Sequence, residues 1–268
     1  MIGLQEFPGL SLQSLPIYVL LTVVASLRIG SFLVASPFFG TRMVPLPIRI
    51  VFSFCMGIWV LGFIQFPPLD VILSSQLISI ALQELAIGLS CGMILSICFA
   101  AVIMAGEKIA ASSGLGFAAQ IDPDSGGQTP VVSKIFSIFL TVLFLSWNGH
   151  LVVLRVVLDT YKFLPVGSLP DMDALVSGGI TAAGSMFFAA AIIMLPITGF
   201  LVAINLAVGV ISRSSPQMNL FAVGFPISMI VIFVLLYLWV DALGHSLTEL
   251  SQTGVESVTS VLEVMING

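Results

Sequence analysis

The sequence predicts an all-α, integral membrane-type fold built from about six hydrophobic segments. Three observations carry this. Hydrophobic residues make up 58% of the 268 positions and charged residues only 8%, where soluble domains hold roughly 25% charge. The mean hydropathy is +1.17. The apolar residues also fall into long runs rather than strand-like alternation, and a membrane-crossing helix needs about 20 of them. Such runs leave no stretch from which to build a water-soluble catalytic domain, so one membrane domain is expected over residues 1–268.

In order, the runs are Ile17 to Pro37, Ile48 to Phe66, Val71 to Ala105, Val131 to Leu158, Ile180 to Ile204 and Leu220 to Val240. The third is too long for one perpendicular helix and holds Glu84 and Gly88, so tilting, a kink or a hairpin is expected. The fourth carries Asn148, Gly149 and His150 near its middle, where an ordinary lipid-facing span would be apolar. Beyond the last run, Leu243, Leu247, Leu250, Val255, Val258, Val261, Leu262 and Met265 recur at roughly helical spacing, which predicts an amphipathic helix over Leu243 to Ile266. The segment before the first run has no Lys or Arg and contains Glu6, Pro8 and Pro16. It lacks the basic start of a secretory signal, so the first run is expected to be retained.

Six crossings put three connections on one side: Phe38 to Pro47, Gly106 to Pro130, and Asn205 to Asn219. With their flanks they hold Arg42, Arg49, Lys108, Lys134 and Arg213, whereas Lys162 and Arg155 fall on the other side. Positive residues mark the cytoplasmic face, which places both termini outside it. Cys55, Cys91 and Cys98 lie in apolar runs without metal-ligand spacing and read as small core residues rather than a disulfide framework.

Arg28, Glu84, Glu107, Arg155 and Asp159 interrupt or border the apolar runs. A charge at such a place costs about 2.5 to 3.5 kcal/mol by insertion scales unless it finds a partner or water. Either these residues form an ion or proton relay, or they form register-fixing pairs, with Arg28 to Glu84 and Arg155 to Asp159 as the natural pairings. A transporter reading would use Glu84, Glu107 and Asp159, but the internal repeat usual for such proteins is not evident.

Enzyme signatures fail at indispensable positions. Ala111-Ser112-Ser113-Gly114 is not the Gly-x-Ser-Gly of an intramembrane serine protease, and Gly114-Leu115-Gly116 is followed by Phe117 where an aspartyl protease needs Asp. His150 and His245, the two histidines, stand far apart, and no His-Glu-x-x-His or phosphate-binding glycine motif is present. Neither a catalytic residue nor a metal, cofactor or nucleic-acid site is expected. Asn148 with His150 reads as a hydrogen-bonding pair for helix packing.

The stretch AASSGLGFAAQIDPDSGGQTP, Ala110 to Pro130, is the polar exception. Small residues permit close approach, glycines permit unusual dihedrals, and Asp122-Pro123 and Gln128-Thr129-Pro130 stop helices. Irregular backbone at membrane depth survives only buried in protein or lining a watery cavity. Apolar points at Leu115, Phe117 and Ile121 suit a segment that occludes a constriction; the plain alternative is a cytoplasmic connection. The stretch from Gly209 to Pro226, with Pro216 and Arg213, raises the same question.

At these two loops the chain resembles the R-subunit family of the flagellar type III export gate, which is related to the T subunits of virulence secretion systems; the pattern looks flagellar. The matching residues are Arg28, Pro37 to Gly40 and Pro45; Glu84 and Gly88; Gly106-Glu107, Gly114, Phe117-Ala118, Asp122-Pro123 and Gln128; Asn148-Gly149-His150; Pro196; and Gly209, Arg213, Pro216-Gln217, Asn219, Phe221 and Gly224-Phe225-Pro226. They run in order from the first apolar segment to the last.

The resemblance implies a structural, non-enzymatic subunit that joins P and Q subunits in a hetero-oligomeric, protein-conducting gate. Kinked helical hairpins there pack on neighbouring subunits, largely above the ordinary bilayer plane. By this likeness residues 1–130 are a P-subunit-like half ending in a plug loop, and residues 131–268 include a Q-subunit-like hairpin and the amphipathic tail. Gly114, Leu115, Gly116, Phe117, Asp122, Pro123 and Gln128 would form the plug, with Phe117 as the occluding side chain. The five charges would hold helix register between subunits. Asn148, His150, Arg213, Pro216, Gln217, Asn219, Phe221, Gly224 and Pro226 would contact partners. Those partners would be the P, Q and B subunits of the gate, MS-ring and rod components of the basal body, membrane lipid, and the unfolded flagellar proteins that are exported through the bacterial inner membrane.

Overall fold

The computed structural model describes residues 15–41, 44–64, 66–72, 74–114, 130–214 and 220–267, and among these every regular element is helical. In chain order the helices are α1 (Leu15–Ala35), α2 (Leu46–Leu61), α3 (Leu69–Ile72), α4 (Gln76–Ser112), α5 (Val131–Ser146), α6 (Gly149–Phe163), α7 (Met172–Ser214), α8 (Leu220–Leu238) and α9 (Val240–Asn267). All-α architecture is thus what the apolar runs foretold.

Three helices, α1, α4 and α7, are long and apolar enough to cross a membrane, and α5 with α6 and α8 with α9 qualify as bent pairs. The second run forms only the 16-residue α2, about 24 Å long at the usual rise per residue, short of a hydrocarbon core of about 30 Å. The third run is one 37-residue helix, neither hairpin nor broken span. It contains no proline to remove a backbone donor, and its glycines are spent on close contacts rather than on bending.

Two compact units can be distinguished, one from residues 1–97, 148–182 and 254–268, the other from 98–147 and 183–253. In the first, α1 buries Val24, Ala25, Arg28, Ile29, Phe32 and Leu33, two adjacent residues per turn that form one face. Gly88 and Gly92 of α4 sit directly on α1: a Cβ at Gly88 would overlap the Arg28 carbonyl, and one at Gly92 would come within 2.6 Å of the Ala35 Cβ. This small-xxx-small spacing lets backbones touch, and the contact is sealed by Ser96 Oγ donating to the Ala35 carbonyl at 2.5 Å. Gly57 does the same for α2, where an added Cβ would stand 3.0 Å from the Thr22 carbonyl of α1. In the same unit Gly178 lies against Val261.

In the second unit, Ser133 at the start of α5 presses on Gly106 of α4, where an added Cβ would lie 2.5 Å from the Ser133 Cα. Phe144 meets Phe99 edge-on at 5.3 Å and Trp147 at 5.8 Å, and the Trp147 indole donates to Ser251 Oγ at 3.0 Å. The interruption expected in the fourth run is real: Asn148 takes a left-handed conformation (φ 61°) between α5 and α6, a geometry Asn tolerates better than most residues.

The amphipathic tail appears as α9. Leu243, Leu247, Leu250, Val255, Val258, Val261 and Leu262 are all buried, while Asp241, His245, Glu249, Gln252 and Glu256 line the exposed face. Of the cysteines, Cys91 and Cys98 are buried and Cys55 is exposed.

Candidate functional site

Arg28 stands on the buried face of α1 with no exposed surface, and Glu84 of α4 reaches it with none either. The pair is bidentate, Nε to Oε2 at 2.8 Å and Nη2 to Oε1 at 2.9 Å. Nη1 donates to Thr160 Oγ1 at 2.9 Å and Nη2 to the Leu164 carbonyl at 3.0 Å. Four hydrogen bonds therefore occupy a guanidinium that has five donors. The Tyr161 ring lies 4.2 Å from the guanidinium carbon, and its hydroxyl donates to the Ala25 carbonyl at 2.6 Å. Gly167, in the positive-φ region at 84°, gives Glu84 a backbone hydrogen bond.

This cluster ties α1, α4, α6 and the turn after α6 into one knot. Its charges are neutralised and its donors nearly used up, so it has no free group with which to pass a proton or hold an ion. Thr160, Tyr161 and Gly167 were not singled out by sequence reasoning; each reads as an ordinary helix or turn residue until the fold brings it to Arg28.

The other charges of the set are not buried within the chain. Glu107 is exposed on α4, and Arg155 has 85% of its side-chain surface open. Asp159 meets Arg155 at 3.7 Å and Lys162 at 2.5 Å, on the solvent side of α6. For α6 the physical reason is amphipathicity: spacings of three and four residues gather Arg155, Asp159 and Lys162 on its one polar face.

At the end of α4 the structure reaches the root of the polar loop. Gly114 has φ 82°, the left-handed conformation that ends helices and that glycine adopts without strain. Ser113 and Gly114 are buried. The next described residue is Pro130, which precedes α5 and starts it with a backbone of φ −50°. Leu115, Gly116, Phe117, Asp122, Pro123 and Gln128 lie outside the described residues, as do Pro216, Gln217 and Asn219.

Among the expected contact residues, Arg213 is exposed in the last turn of α7. Phe221 belongs to α8, as do buried Gly224 and exposed Pro226. His150 does not pair with Asn148; its ring meets Phe38 at 6.0 Å, and its buried Nδ1 has no hydrogen-bond partner. The proximity that suggested a pair was only proximity in sequence, for Asn148 is occupied with the turn, its carbonyl accepting from the Leu151 and Val152 amides.

Two long faces remain apolar and uncovered. On α4, Ile78, Leu82, Leu85, Leu89 and Met93 are exposed at steps of four and three. On α7, Phe187, Phe188, Ile192, Leu195, Phe200, Val202 and Leu206 are exposed, and a Cβ added at Gly179, Gly184, Gly199 or Gly209 would meet nothing within 4 Å.

The family model described as "Bacterial export proteins, family 1" matches residues 19–254. The chain is similar to the flagellar biosynthetic protein FliR of Escherichia coli (strain K12), 33% identical over 208 residues that cover 76% of this chain and 78% of that protein. It is 34% identical to the FliR of Aquifex aeolicus (strain VF5) over 220 residues, 82% and 85% of the two chains. With the FliR of Bacillus subtilis (strain 168) the identity is 28% over 242 residues, 89% and 93% of the two.

Proposed function

From the premise that this chain belongs to the bacterial export proteins, family 1, we propose that it is a structural and gating subunit of the flagellar type III export gate. With P and Q subunits it would form a protein-conducting pore, which the loop after α4 closes. The single observation that carries the partner requirement is α4 itself. Its 37 residues extend about 55 Å, and tilting within the observed range of up to about 40° cannot fit that length into a core of about 30 Å. A helix of that length reaches past the hydrocarbon core and calls for protein beyond the bilayer, which neighbouring gate subunits would supply.

The gate sits in the bacterial inner membrane at the flagellar basal body, near the B subunit and the MS-ring and rod components. Unfolded flagellar proteins would pass through it. The loop connections that hold Arg42, Arg49, Lys108, Lys134 and Arg213 would face the cytoplasm, and both termini would lie outside it. The role is mechanical and not catalytic. The P-like portion would be residues 1–130 and the remainder residues 131–268. A solute or ion transporter is the lesser reading, because Glu84 is consumed by Arg28 and Asp159 by Arg155 and Lys162.

Native mass spectrometry of the tagged chain, purified in mild detergent after co-expression with P and Q subunits, tests the reading. A defined complex with one copy of this chain among several partners is expected. A stable assembly of this chain alone that ignores both partners would overturn it.

A further inference from the structure

The last four carbonyls of an α-helix have no partner within the helix, and at the end of α4 each one has found a partner. The Ile109 carbonyl accepts from the Ser113 amide at 3.1 Å and the Ala111 carbonyl from the Gly114 amide at 3.3 Å. The Ala110 carbonyl accepts from Ser113 Oγ at 2.9 Å. Only the Ser112 carbonyl depends on a distant residue: Asn205 Nδ2 of α7 donates to it at 3.2 Å. The other end of the same amide is also engaged, for Ser228 Oγ of α8, from a buried residue, donates to Asn205 Oδ1 at 2.9 Å.

Asn205 stands between Ile204 and Leu206 on a long apolar helix. Asn205 is exposed on the chain, and where lipid or a neighbouring helix covers this face a primary amide is costly unless both of its ends are bonded; both are. Ser228 fixes the rotation of the amide so that its N–H, and not its oxygen, meets the Ser112 carbonyl. We propose that Asn205 is a positioning residue, oriented by Ser228, that locks the last turn of α4 to α7 and α8 and so fixes the point from which the gating loop departs. The inference rests on the gate reading for its functional consequence, but the lock itself concerns only Ser112, Asn205 and Ser228.

Hydrogen exchange read by mass spectrometry on the detergent-purified assembly tests the lock. Asn205→Leu should speed exchange of the Ser113 and Gly114 amides roughly fivefold, the opening expected for one lost hydrogen bond. Ser228→Ala, a milder change that keeps the packing, should speed it less, and the double variant should add nothing to Asn205→Leu. Asn205→Gln, which keeps both donor and acceptor, should restore most of the protection. Unchanged exchange in Asn205→Leu overturns the proposal, as does full additivity of the two substitutions. Ion leak through the same assemblies separates the lock from the gate. Faster exchange in Asn205→Leu, with pores that stay ion-tight both in that variant and in a deletion of residues 114–128, upholds the lock while removing the plug.

Discussion

At the scale of single residues, what decides the outcome is whether a charge has been taken out of water. Arg28 and Glu84 have no exposed side-chain surface, so removing either partner strands the other. Arg28→Met or Glu84→Gln should therefore cost about 3 to 5 kcal/mol of stability, seen as a lower thermal midpoint of the purified assembly and lower chain abundance in the membrane. The double change to Met and Leu should cost less than either single one, because no uncompensated charge is left behind. A double variant that loses the sum of the two would show no coupling between them and would overturn this account of the pair. Arg155→Ala marks the opposite limit. Its exposed pairing on α6 should be worth less than about 1 kcal/mol to the chain, so a large loss of partner binding at unchanged chain stability would identify Arg155 as an interface residue.

At the scale of elements, periodicity and composition made much of the fold legible. The buried leucines and valines of α9 are the ones its spacing marked, and Asn148 interrupts the fourth run where the polar triplet stood. What stayed hidden depended on contacts between distant segments. Nothing local in α4 distinguishes Gly88 and Gly92, which touch α1, from Gly184 and Gly199 of α7, which touch nothing. Asn205 likewise reads as a stray polar residue until Ser112 and Ser228 are brought beside it. The glycines yield a direct contrast. Gly88→Val must push against the Arg28 backbone and should abolish accumulation of the folded chain, whereas Gly184→Ala and Gly199→Ala should raise helix stability by up to about 1 kcal/mol. If those two alanines lower recovery of the P and Q subunits in pull-downs while the chain itself accumulates normally, they mark places where a partner helix approaches closely. Unaltered recovery would leave α7 to lipid at those positions.

At the scale of the whole molecule, the question is what covers the apolar faces of α4 and α7. Lipid and protein make different demands on them. Acyl chains rearrange around any apolar side chain, so a lipid-facing leucine can become tryptophan at little cost. A packed interface, dense and with few voids, cannot take the added volume without loss, typically about 1 to 3 kcal/mol for overpacking. Leu82 and Met93, 62% and 50% exposed in the chain, lie on the exposed apolar stripe of α4. Leu82→Trp and Met93→Trp should accordingly leave membrane insertion and chain abundance unchanged. The co-purifying P and Q subunits should fall roughly fivefold or more, as a loss of about 1 kcal/mol or greater requires. Native mass spectrometry of the two variants reads both quantities in one sample. Full recovery of partners with tryptophan at both positions would assign the stripe to lipid, and the partners would then have to meet α4 outside residues 78–93.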